Sequence, residues 1–112
     1  MALKTLVYVG TYTGPIKFGT GQILDGKGEG IYLLELDLNT GTLNLIETFT
    51  EIVNPSYLVL NMHNSCLYAV NELKEFQGEA SGSVSAFKVS QTSGELAYIN
   101  KQPTGGTDPC HV

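Results

Sequence analysis

At 112 residues, with 42% apolar and 15% charged side chains, the chain has the composition of a folded domain or part of one, not of a disordered segment. Six lysines, no arginine and eleven carboxylates leave a formal charge of −5. Without a basic face to neutralise phosphates, nucleic acid is not an expected partner, and no apolar run approaches the roughly 20 residues of a membrane-spanning helix, so no membrane is expected either.

The chain opens MALKTLVYVGTYTG, one lysine ahead of an apolar run too short for the core of a signal peptide and followed by no small-residue cleavage pattern. A cytoplasmic setting is expected, in keeping with two cysteines, Cys66 and Cys110, that make no disulfide framework. No long window keeps apolar residues at helical spacing, whereas short β-branched and aromatic runs bounded by Gly, Asn, Asp and Pro recur, which predicts an all-β chain. In order, the candidate strands are TLVYVGT (5–11), GIYLLEL (30–36), LNLIETF (43–49), SYLVL (56–60), CLYAVNE (66–72), SVSAFKV (83–89) and LAYINKQ (96–102). The glycines of GTGQILDGKGEG (19–30) stand in no strand–GxxxxGK[ST]–helix context, so this stretch reads as a connection and not as a phosphate cradle. TGGTD (104–108) reads the same way.

Two connections are alike. LDLNTGTL and KVSQTSGEL each place a glycine, Gly41 and Gly94, where a short hairpin loop needs a residue at positive φ. Gly41 and Leu43 fall on Gly94 and Leu96 at an offset of 53, NPSYL (54–58) falls on DPCHV (108–112) at 54, and LVYVGTY (6–12) falls on CLYAVNE (66–72) near 60. The last offset is larger because the stretch 13–29 is eight residues longer than 73–81. A period near 50 with four short strands per unit predicts β-propeller blades of four antiparallel strands; the alternative is a small sandwich or barrel with accidental similarity, against which stands the repetition of hairpins and pre-strand Pro motifs in the same order. On this reading 1–53 is a first blade lacking its innermost strand, 54–107 a second blade, and 108–112 the start of a third. Incomplete blades leave open strand edges, and self-association through them is expected.

With the repeat in place, YVGTYT, GIYLLELDLNTGTL, NPSYLVLN…LYAVNE, GSVSAFKV…GEL and QPTGGTDPCHV together resemble the amino-terminal part of the lactonase family of seven-bladed propellers. That family includes cycloisomerase-type 6-phosphogluconolactonases and fungal carboxymuconate lactonizing enzymes. One departure is NMHNS (61–65), which stands where the family has a Pro-Asp-Gly turn and still offers Asn-rich turn chemistry. The resemblance implies about two blades of an enzyme that hydrolyses 6-phosphogluconolactone to 6-phosphogluconate in the pentose phosphate pathway, inactive as this segment alone. It implies a small sugar lactone as partner, no cofactor and no metal.

Family members place their site at one mouth of the central channel, using His, Arg and Glu from several blades. The positions here that match are Glu72 and His111, as catalytic candidates, and Asn71, as a substrate-binding candidate. Lactone opening needs a base for water and donors for the carbonyl oxygen, and Glu72 at the end of an inner strand suits the first need. Its plainer reading is a strand-end carboxylate facing solvent, and the repeat counterpart of His111 is Tyr57, a structural polar aromatic. Adjacent side chains on one strand point to opposite faces, which argues against a Cys110–His111 catalytic pair. Cys66, Cys110, His63 and His111 show no zinc-ligand spacing beyond that adjacent pair. Lys17, Lys27 and Lys74 lie in connections with no evident convergence, so a phosphate would be held by other blades. Two further functions stay open: a non-catalytic propeller that binds partners, and a lactonizing cycloisomerase of the same family.

Overall fold

The computed structural model describes residues 5–112. Among the described residues, nine strands and no helix follow one another: β1 Thr5–Val9, β2 Pro15–Lys17, β3 Ile23–Asp25, β4 Ile31–Leu36, β5 Leu43–Phe49, β6 Pro55–Leu60, β7 Cys66–Asn71, β8 Ser83–Val89 and β9 Leu96–Pro103. They form a three-stranded sheet in the order β1-β4-β5 and a four-stranded sheet in the order β6-β7-β8-β9, both antiparallel meanders. All seven candidate strands are present with ends shifted by at most two residues. The stretch 13–29 departs from expectation, because it folds into a hairpin of its own, with β2 paired to β3 from Pro15↔Asp25 to Lys17↔Ile23.

The repeat is visible at the level of single hydrogen bonds. In the turn after β4, Asp37 N donates to Thr42 O and Gly41 N to Asp37 O; in the turn after β8, Ser90 N donates to Glu95 O and Gly94 N to Ser90 O. Gly41 and Gly94 sit at φ 77° and 78°, the left-handed region where a Cβ would be strained. Register shifts fall between Leu33 and Leu34 and again between Ala86 and Phe87, leaving Ile46 and Ile99 as the extra residues of two equivalent bulges. At NMHNS, Asn61 Oδ1 accepts from Ser65 N and Cys66 N, and Asn64 adopts φ 54°, so asparagine supplies the turn.

Strand alternation decides which side chains enter the seam between the sheets. Leu67, Ala69, Phe87 and Val89 from the second sheet meet Tyr8 and Ile31 from the first, with Ile52 from the connection, in one buried cluster. Ile31, Leu33 and Leu67 are wholly inaccessible. The outermost strands β5 and β9 are mostly exposed, since solvent reaches both of their faces. Tyr8 closes the seam at one end by donating its Oη to Gly94 O at 2.5 Å.

Candidate functional site

At the other end of the seam, the connections 10–30, 50–54 and 72–82 and the segment after β9 gather around Asn54. This residue precedes Pro55 in a left-handed conformation at φ 43°, which turns its side chain back onto two neighbouring segments. Its Oδ1 accepts from Thr13 N at 2.9 Å, its Nδ2 donates to Glu72 O at 3.2 Å, and its carbonyl receives Glu72 N at 3.1 Å. The repeat counterpart Asp108, at φ 53°, also precedes a proline and donates its N to Leu73 O at 2.8 Å. These two residues fix the strand end that carries Glu72.

Glu72 is 8% exposed and held on both oxygens. Tyr12 Oη approaches Oε1 and Oε2 at 3.1 and 3.2 Å, and Ser56 Oγ donates to Oε1 at 2.8 Å. Burial, reinforced by the Glu72 charge and by the hydrogen bond to it, pushes the Tyr12 phenol above its ordinary pKa. Tyr12 is itself the repeat counterpart of Glu72, so equivalent positions of the two repeats touch.

Asn71 points the opposite way and is buried. Its Nδ2 donates to Val53 O at 2.8 Å while its Oδ1 accepts from Ser83 Oγ at 2.8 Å and Ser85 Oγ at 2.7 Å. His111 is exposed and stacks on its own repeat counterpart, Tyr57, with ring centroids 4.4 Å apart at a 42° tilt. The structure therefore brings neither Asn71 nor His111 to the Glu72 carboxylate. Among the described residues, no group of three or more His, Cys, Asp or Glu side chains is placed to hold a metal.

A cleft of about 490 Å³ opens beside Glu72, lined by Lys17, Phe18, Gly19, Glu72, Lys74 and Asp108. Lys17 and Phe18 come from the β2–β3 hairpin, whose Ile16 is buried and anchors it. Lys74 Nζ pairs with Asp108 Oδ2 at 2.7 Å. The expectation that the lysines do not converge is thus corrected: the hairpin folds back and brings Lys17 to the cleft that Lys74 lines, while Lys27 pairs with Asp25. Sequence reasoning missed Tyr12, Ser56, Lys17 and Asp108 as neighbours of Glu72. The repeat offset near 60 pointed to Tyr12, but nothing local in the sequence marked Lys17. A groove of about 470 Å³ along the outer strands, with Phe49, Phe87, Leu96 and Tyr98, carries none of the sequence-predicted site residues.

The family profile described as Lactonase, 7-bladed β-propeller, matches residues 6–112. The chain belongs to this family. Among lactonase-family relatives, a Bacillus subtilis 6-phosphogluconolactonase is 34% identical over 109 residues, covering 97% of this chain and 27% of the relative. A Bacteroides fragilis crystal structure provisionally assigned as a 6-phosphogluconolactonase superposes with a TM-score of 0.76 at 31% identity, covering 96% of this chain and 26% of that one. The periplasmic gluconolactonase of Pseudomonas aeruginosa superposes with a TM-score of 0.67 at 27% identity, covering 96% and 27%. The chain spans about a quarter of the length of these lactonases.

Proposed function

We propose that this chain supplies the Glu72 side of a lactone-hydrolysing propeller that opens 6-phosphogluconolactone to 6-phosphogluconate in the pentose phosphate pathway. The observation that carries the reading is a hydrogen-bonded carboxylate at an open cleft in a lactonase-family chain whose relatives bear that name. In the reaction, Glu72 takes a proton from a water as the water oxygen bonds to the lactone carbonyl carbon. The tetrahedral oxyanion is stabilised by ammonium donors such as Lys17, and its collapse breaks the ring C–O bond, with the ring oxygen taking up the proton that Glu72 received and so restoring the carboxylate. Tyr12 and Ser56 hold the carboxylate in position. Asn71 serves by anchoring the end of β7, and His111, in the segment after β9, packs against Tyr57 on β6.

In this reading, residues 1–53, 54–107 and 108–112 are a first blade, a second blade and the opening of a third. A reducing cytoplasm suits the two free cysteines. The Pseudomonas relative, named for a lactone without phosphate, supports testing the unphosphorylated ring alongside. Acid release by the full-length protein, followed at constant pH, tests the function: a rate well above spontaneous opening is expected with 6-phosphogluconolactone. Absence of any rate above background on either lactone would overturn it.

A further inference from the structure

The cleft beside Glu72 is balanced in charge. Two ammonium groups, Lys17 and Lys74, face two carboxylates, Glu72 and Asp108, and Lys74 is already committed to Asp108. Lys17 has no ion-pair partner among the described residues. A phosphate monoester carries nearly two negative charges and is held by an excess of cationic or backbone donors. Here it would meet one uncommitted lysine and two carboxylates, and would have to displace Asp108 from Lys74 to gain a second.

The same set suits a neutral ring bearing several hydroxyls. Carboxylate oxygens only accept and ammonium groups only donate, whereas each hydroxyl does both, so alternating donors and acceptors can be satisfied with no net charge brought in. Glu72 has acceptor capacity left on Oε2, which receives only the longer of the two Tyr12 approaches. Phe18 is 42% exposed at the cleft wall and offers an apolar face to the C–H side of a ring.

We propose that this cleft binds the neutral polyhydroxylated ring of a sugar lactone, with Phe18 against its C–H face, Lys17 donating to its oxygens, and Glu72 and Asp108 accepting from its hydroxyls. Any phosphate on the substrate lies outside the cleft. The inference rests on the lactone-hydrolase reading for its ligand class, and it deepens that reading by separating the part of the substrate this chain reads from the part it does not.

Calorimetric titration of the full-length protein and its F18A and K17Q variants with 1,5-anhydroglucitol and with its 6-phosphate tests it. Neither probe has a lactone bond, so binding is measured whether or not the protein opens lactones. The expected result is binding of both probes to the wild type and a loss of about fivefold or more in each variant, equal for the two probes within about twofold. A K17Q loss confined to the phosphorylated probe would make the cleft an anion site and overturn the proposal. So would absence of binding by the neutral ring, or unchanged affinity in both variants. Both side chains are substantially exposed or lie in the hairpin, and melting curves of the variants confirm folding. Ring binding without lactone turnover would sink the hydrolytic reading alone; turnover without ring binding would sink this inference alone.

Discussion

Tyr8 and Tyr12 carry their phenols into opposite ends of the seam, and burial raises the pKa of both above the ordinary 10.0. In the unfolded chain these phenols ionise near 10, while in the fold they stay protonated to higher pH. Between those values the unfolded state binds fewer protons, so the stabilisation present below pH 10 is lost as pH rises through the folded values. Urea unfolding at stepped pH should show stability falling above about 10, with a shallower fall in Y8F and Y12F. Parallel slopes in all three proteins would contradict it. Y8F should also be less stable at neutral pH by about 0.5–1.5 kcal/mol, the worth of an ordinary hydrogen bond, here the one to Gly94.

The two equivalent hairpins differ in what lies over them, and that difference separates local strain from packing between sheets. A Cβ on Gly41 would meet nothing, whereas one on Gly94 would stand 2.5 Å from Leu6 Cδ1 and 3.0 Å from Tyr8 Oη. G41A should lose about 1–2 kcal/mol to left-handed strain, and G94A should lose about 1–3 kcal/mol more through overpacking. Equal losses in chemical denaturation would mean the seam yields freely at this point. The long strands were legible in the sequence because alternation and glycine-marked turns carry most of their information, and Gly41 and Gly94 align the repeats in the sequence itself. The β2–β3 hairpin was not, since strands of three residues among glycines leave no period to read. With it went Lys17 and Phe18: Glu72 could be picked out as a strand-end carboxylate, but its cleft depends on how 13–29 folds back. The faces of Asn71 and His111 also depended on tertiary placement, one turned into Ser83 and Ser85 and the other stacked on Tyr57.

As a whole the molecule is elongated, 49 × 27 × 21 Å, with a radius of gyration of 15.0 Å. A compact domain of this length has a radius near 13 Å. Two sheets packed through one seam account for the difference, because their remaining faces and the edges of β1 and β6 lack partners among the described residues. Val9 and Tyr57 are among the large side chains left exposed on these inner strands. Such edges template pairing with other chains, so the 112-residue chain by itself should elute in size-exclusion chromatography well above its 12.1 kDa mass. A monodisperse monomer would show that the edges are blunted. At this scale the proposed function rests on Glu72, where the repeat, the seam and the hairpin meet. The most direct measurement is kcat for 6-phosphogluconolactone in the full-length protein against its E72Q variant, with melting temperatures compared alongside. Loss of general-base catalysis predicts a fall of about 10²–10⁴ in kcat with the fold intact, and an E72Q enzyme that turns over as fast as the wild type would contradict the account.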